Sequence, residues 1–439
     1  MSEDGQDVIM REKELILYKH FKHGDILEDV SWLAKNSRDV KNAALEEQMR
    51  DRLFDVTHRL VELAGSHGYK GNLWHAYLTY LLANNENAFS AASEIRGEVE
   101  GSINEIALHD FAIFKEFFDF DMSQLDVRLH TDCVVMILSY RNVDEQSKMF
   151  NKRIRDRICD LSVLLANAQD AAEFKNIVTG FYKDFGVGKF GLHKAFRVEH
   201  IGEEVNIKPI TNIAHVYLDD LVGYEIPKQK LIANTEAFIN GRRANNCLLF
   251  GDAGTGKSSS IKGILNQYYD RGLRIIEIYK HQFQDLNEVI AQIKNRNYKF
   301  IIYMDDLSFE DFEIEYKYLK AVIEGGLEKK PDNILIYATS NRRHLVREKF
   351  SDKEERRDDL HSSDTVQEKL SLVSRFGVSI FFCAPDKKEF ANIVKVLAER
   401  YQVRMPKEEL LLEANKWELS HGGLSGRTAQ QFIDYLLGK

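Results

Sequence analysis

The sequence predicts an α/β core with a parallel sheet and a C-terminal helical segment, preceded by a mainly α-helical N-terminal region. Three observations carry that prediction. All five prolines of the 439 residues lie at Pro209 or later, and the stretch before them is rich in helical spacing. From about Val216, short apolar runs alternate with amphipathic stretches, the pattern of parallel strands joined by helices. Between one such run and the helical stretch after it stands Gly251-Asp252-Ala253-Gly254-Thr255-Gly256-Lys257-Ser258. It fits G-x-x-x-x-G-K-[ST], a loop whose backbone N–H groups cradle phosphate oxygens.

In the N-terminal part, Leu15, Leu17, Tyr18 and Phe21 space one apolar helix face, and Leu53, Val56, Leu60, Val61 and Leu63 another. Val134, Ile137 and Leu138, then Ile154, Ile158, Leu161, Val163 and Leu164, space two more. Residues 1–180 are therefore expected to form an all-helical domain. Phe111, Phe114, Phe117 and Phe118 recur at helical intervals, which reads as a packed face in preference to a partner-binding groove. Residues 181–215 are expected to connect the two parts, as a linker or short hairpin. They contain a G-x-G-x-x-G match at Gly186–Gly191, but no clear strand precedes it, as a dinucleotide site requires.

The α/β core is expected over 216–384 and a helical lid over 385–439. Strands are expected at Cys247–Phe250, Leu273–Ile278, Phe300–Met304, Ile334–Ala338 and Val378–Phe382. Helices are expected at Lys257–Tyr269, Leu286–Lys294, Ile314–Glu324, Val366–Leu372 and Lys387–Tyr401, with two more around Glu408–Leu419 and Ser425–Leu437. The charge run from Arg347 to Asp364 has no apolar period and reads as a solvated loop.

Composition narrows the classes. Apolar residues make up 44% of the chain, enough for real cores, and the net charge of −9 argues against a surface coated with nucleic acid. The four cysteines are scattered and form no CxxC, as expected of thiols in a reducing compartment. No apolar run approaches the roughly 20 residues that cross a bilayer. No membrane contact is expected, and the cytoplasm is the expected address.

The chemistry gathers at strand ends. Lys257 would bring positive charge to the β- and γ-phosphates of a nucleotide, Ser258 a hydroxyl to Mg²⁺, and the helix opening at Lys257-Ser258-Ser259 its favourable dipole. The strand Phe300–Met304 ends in Asp305 and Asp306. This is Walker B logic: Asp305 would hold Mg²⁺ through water, opposite Ser258, and Asp306 stands where a base or water-positioning group belongs. The strand Ile334–Ala338 ends in Thr339-Ser340-Asn341, and Asn341 or Thr339 would orient the attacking water. Arg375, before the last strand, reads equally as a surface arginine or as one that reaches a neighbouring subunit's γ-phosphate. Arg427 sits in the first turn of the final helix, a poor place for a cation unless an anion lies nearby.

This order of motifs resembles the AAA+ ATPases, over about residue 211 to the end. The strings NTEAFINGRRANN (234–246), DDLSFE (305–310), LKAVIEGGLEKKPDNILIYATSNRRHL (319–345) and SGRTAQQF (425–432) are more narrowly similar to an uncharacterised bacterial AAA+ family, known only as a domain of unknown function. The resemblance implies a three-layer P-loop NTPase core with a helical lid, binding ATP and Mg²⁺. It implies sensor 1 at Thr339 and Asn341, an arginine finger at Arg375 acting in trans within a ring or partial ring, and sensor 2 at Arg427. Leu218–Tyr224, with Val222 and Gly223, is similar to the segment that packs against adenine. Two departures stand out. Asp306 occupies a position where many of these proteins have glutamate, and it reaches about one methylene less far. The link through Lys280-His281-Gln282-Phe283 is short for an aromatic pore loop, which counts against protein threading.

Three functions follow as expectations. The first is an ATP-hydrolysing AAA+ protein that remodels or gates a protein partner held by residues 1–180. The second is a nucleotide-gated binding switch with negligible hydrolysis, kept open by Asp306. The third is a DNA remodeller or helicase-loader-like ATPase, with Arg242-Arg243 and Arg342-Arg343-His344 as its local basic support.

Overall fold

The computed structural model describes residues 10–37, 42–142, 150–211, 213–309, 315–324, 331–341 and 372–438. The chain divides into two units, Met1–Leu192 and His193–Lys439. The expected helix at Val366–Leu372 and the charge run at 347–364 lie outside the described residues, except for Leu372.

The first unit is helical: α1 (Gly24–Asn36), α2 (Ala43–His67), α3 (Leu73–Asn84), α4 (Ala88–Arg96), α5 (Ser102–Asp119), α6 (Ser123–Leu129), α7 (Cys133–Leu138), α8 (Lys152–Ala166), α9 (Ala171–Phe185) and α10 (Gly188–Leu192). Its hub is α3, where every residue from Trp74 to Ala83 but His75 is buried. A helix apolar all round belongs at the centre of a core, and α2, α5, α7 and α8 pack around it. Polar atoms of this hub bond inward: Trp74 Nε1 donates to Phe117 O (2.9 Å) and Tyr77 OH to His23 O (2.7 Å). Phe111, Phe114, Phe117 and Phe118 of α5 are all buried, so the phenylalanine row is a packed face.

One expected helix is absent. Residues 15–21 are irregular, although Leu15 and Tyr18 are buried. The backbone here bonds to a side chain in place of its own turn. The fully buried carboxylate of Asp110 on α5 accepts the N–H groups of Ile16 (2.9 Å), Leu17 (2.7 Å) and Tyr18 (3.0 Å). Buried N–H groups must find acceptors, and an aspartate that takes three of them replaces a helical ladder.

The second unit is built on β1 (Ala195–Ile201), β2 (Glu204–Pro209), α11 (Glu225–Ile239), β3 (Cys247–Gly251), α12 (Lys257–Tyr268), β4 (Leu273–Glu277), α13 (Leu286–Ile293), β5 (Lys299–Met304), α14 (Glu315–Glu324), β6 (Ile334–Ser340) and β7 (Val378–Phe382). The strands form one sheet in the order β2-β1-β4-β5-β6-β3-β7. Only β1–β2 pair antiparallel; the rest are parallel. Residues 181–215, expected to connect the two parts, hold the end of α9, all of α10 and the β1–β2 pair. The G-x-G-x-x-G match follows helix α9 and has no strand before it. At the sheet's edge, Gln292 of α13 donates to Val205 O (2.7 Å), and Glu288 of the same helix accepts from Val205 N (3.3 Å).

Side chains alternate faces along a strand. Leu249, Ile301, Tyr303, Leu335 and Tyr337 share one core with Ile261, Ile264 and Leu265 of α12 and with Leu231 and Phe238 of α11. Helix α11 carries Pro227 in its first turn, where no intrahelical N–H is owed. After β7, α15 (Lys387–Arg400), α16 (Lys407–Ser420) and α17 (Gly426–Leu437) form a small bundle around Phe390, Val394, Leu410, Ala414, Phe432 and Ile433. Val222 and Tyr224 pack against that bundle.

Candidate functional site

Face alternation sets the site. Tyr303 pairs with Tyr337 in the β5–β6 register, and both face α12. Two residues on, Asp305 and Thr339 return to that face, where the first turn of α12 presents Ser258. The three polar side chains meet: Ser258 Oγ donates to Asp305 Oδ1 at 2.7 Å and Thr339 Oγ1 to the same atom at 2.6 Å. Asp306 takes a left-handed turn (φ 50°), its N–H held by Thr339 Oγ1 at 2.9 Å. Its carboxylate accepts Asn341 Nδ2 at 2.8 Å.

The loop between β3 and α12 is shaped by close approach. A Cβ on Gly251 would lie 2.0 Å from Phe382 O of the neighbouring strand, and a Cβ on Gly254 2.9 Å from Ser425 Oγ of the lid. Lys257 is buried and folds back onto the loop, Nζ donating to Gly251 O (3.0 Å) and Asp252 O (2.6 Å). Thr255 Oγ1 also donates to Asp252 O, at 2.8 Å. The Asp252 carboxylate accepts Ala384 N at 2.7 Å, tying the loop to the segment that enters the lid. Ser425 caps α17 by accepting Thr428 N (3.0 Å), and Arg427 N–H donates to Gly254 O (3.1 Å). Arg427 thus stands over the loop. Ser259 follows in the same first turn of α12, and Ala253 is exposed at the loop's tip.

Charge follows from these contacts. Burial pushes the Lys257 ammonium below its ordinary value; Asp252 and Asp306 pull it back up, and Arg427 pushes it further down. For Asp305, burial disfavours the charge, but the hydroxyls of Thr339, Tyr303 and Ser258 outweigh it and hold the carboxyl below the usual range.

Leu218 and Leu221 lie against the glycines of the loop and α12: a Cβ on Gly256 would lie 3.2 Å from Leu221 Cδ2, and one on Gly263 2.9 Å from Leu218 Cδ2. Val222 and Gly223 follow directly, between this contact and the lid. Arg375 is not brought to the site. Strand β7 runs parallel to β3, with Val378 opposite Cys247 and Phe382 opposite Gly251. Four strand steps span roughly 13 Å, and Arg375 lies before the first of them, at the sheet end away from its own loop. Phe283 is buried, in contact with Phe309, whereas Tyr279 in the same link is exposed and stacks on His281. Arg242 and Arg243 are exposed, and Arg342-Arg343-His344 lie outside the described residues.

Sequence reasoning missed Tyr303. Its hydroxyl donates to Asp305 Oδ1 at 2.6 Å, and burial together with Asp305 raises its pKa. The signal was present: a tyrosine two residues before a strand-end acid must share its face.

A mainly parallel sheet, a glycine-rich loop closing on a buried lysine, a strand-end acid pair and a C-terminal helical bundle define an α/β fold of the P-loop kind. The family described as "Protein of unknown function (DUF815)" matches residues 191–439, and the chain belongs to it. No curated protein matches the chain. Among solved structures, a proline-to-glycine variant of RuvB from Thermotoga maritima is similar at 18% identity and a TM-score of 0.36, covering 50% of this chain and 64% of that one. Another RuvB structure from Thermotoga maritima, titled a Holliday junction branch migration motor, is 16% identical at a TM-score of 0.32, covering 50% and 71%. The chain thus spans just under two thirds of the first of these. Among the described residues, no helix is long and apolar enough to cross a membrane.

Proposed function

We propose that the chain binds ATP with Mg²⁺ and hydrolyses it, coupling nucleotide state to a protein partner engaged by residues 1–180. The observation that carries this is the meeting of Ser258 Oγ and Asp305 Oδ1 at 2.7 Å, beside the buried Lys257. The donor set fits the group: two hard oxygens for Mg²⁺, and an ammonium and a helix N-terminus for phosphate. When bound, the cation neutralises charge developing on the transferred phosphoryl group. Lys257 would exchange its two loop carbonyls for phosphate oxygens. Asp306 would orient the attacking water, once Asn341 shares its hydrogen bond between carboxylate and nucleotide. Arg427, fixed at Gly254 through its backbone, would add positive charge from the lid.

Arg375 would act on a neighbouring copy, because its own loop lies at the opposite end of β3 and β7. Such a contact is head-to-tail and generates a ring or an open string. Arg375→Ala is expected to lower turnover about 10³-fold with ATP affinity nearly unchanged. Mixing it with Lys257→Ala should restore part of the activity, since each variant supplies what the other lacks. Full turnover by Arg375→Ala, or by a strict monomer, would sink the trans arrangement.

A slow switch is the second reading, favoured by Asp306 being both short and engaged by Asn341. Asp306→Glu separates the two: a large gain in turnover supports a site tuned slow, and a loss supports an aspartate already placed for catalysis.

A further inference from the structure

Three hydroxyl donors converge on one oxygen, Asp305 Oδ1: Ser258 (2.7 Å), Thr339 (2.6 Å) and Tyr303 (2.6 Å). Ser258 lies in the first turn of α12, and Thr339 of β6 also accepts the Asp306 N–H, so both have work elsewhere in the site. Tyr303 is different. It is 5% exposed, on a strand face otherwise filled by Leu249, Ile301, Leu335 and Tyr337. A phenylalanine would fill that volume without placing a hydroxyl in the core, and a buried hydroxyl is costly unless it is bonded. Its ring is locked by packing, so its O–H keeps one direction while a serine hydroxyl is free to turn.

We propose that Tyr303 is a positioning residue for the Mg²⁺-binding carboxylate: its phenol holds Asp305 in orientation from inside the core when Ser258 gives its oxygen to the cation. This rests on the reading that Ser258 and Asp305 hold Mg²⁺ with ATP. A group that orients a metal ligand from behind typically changes metal affinity or activity about 10–100-fold.

The test is ATP affinity by calorimetry on the full chain, in Mg²⁺ and in EDTA. The ratio of the two dissociation constants is the Mg²⁺ enhancement. Tyr303→Phe is expected to cut that enhancement about tenfold and leave the EDTA value within about twofold of wild type. In an Asp305→Asn background the same change is expected to have no further effect on the enhancement. An enhancement equal to wild type, an equal weakening in both buffers, or a full further loss in the Asp305→Asn background overturns the role of Tyr303. A wild-type protein with no Mg²⁺ enhancement overturns the Mg²⁺–ATP reading itself, and the inference with it.

Discussion

Two aspartates, one in each unit, accept three donors apiece and put them to opposite use. Asp110, in the helical unit, takes the backbone N–H groups of Ile16, Leu17 and Tyr18 and is fully buried. Asp305, at the end of β5, takes three hydroxyls, all on Oδ1. Backbone donors have a fixed direction, so Asp110 is part of the scaffold. Two of the donors to Asp305 sit on short side chains that rotate, and among the described residues none is recorded on its Oδ2. The first arrangement satisfies a chain segment that cannot form a helix. The second keeps an acid charged and oriented while leaving it able to take another partner.

That contrast can be broken from either side. The largest effect is expected at Asp305: if it holds the cation as proposed, Asp305→Asn should lower ATP turnover by at least about a hundredfold, more than a change in the residues behind it. Its melting temperature should barely move, because its three donors are side-chain hydroxyls and, among the described residues, no backbone segment depends on it. Asp110→Ala should do the reverse. It strips three N–H groups of their acceptor, at about 1–3 kcal/mol each. Unfolding followed by circular dichroism should show the helical unit melting roughly 10 °C lower, with ATP affinity retained. A collapse of ATP affinity in Asp110→Ala would make this acid more than scaffold.

The smallest effect is a pH dependence. Burial lowers the pKa of His75 and of His67, although backbone carbonyls at Phe118 and Leu63 work the other way. A depressed histidine binds fewer protons folded than unfolded. Stability from both is therefore complete above about pH 6.5 and declines as pH falls from there toward the folded pKa. The melting temperature of the helical unit should drop between about pH 7.5 and pH 5.5, and less so in His75→Gln. An identical drop in the variant would place the titrating group elsewhere.

Much of the second unit was legible because its signals are local. The loop 251–258 and the acid pair Asp305-Asp306 each follow an apolar run and mark the end of a strand. The hairpin β1–β2 was harder, since its strands, AFRVEHI and EVNIKP, carry charged and polar residues in place of an apolar run. Residues 15–21 misled for another reason. Leu15 and Tyr18 have helical spacing and are buried, but the group that decides their backbone, Asp110, is over ninety positions away. Periodicity reports which residues are inside and is silent about what satisfies the backbone between them. Tyr303 hid in the same way, its aromatic ring reading as core and its hydroxyl as nothing.

The capped edge at β2 has a consequence for how anything attaches to this sheet. Val205 offers one N–H and one carbonyl outward, and Glu288 and Gln292 of α13 occupy both. An incoming extended peptide would find both groups of Val205 taken, which disfavours strand addition at that rung. Growth of the sheet into a second molecule, the usual hazard of an exposed edge, is opposed at Val205 by the same two side chains. The hairpin margin is thus guarded at Val205, while the sheet's opposite margin is strand β7.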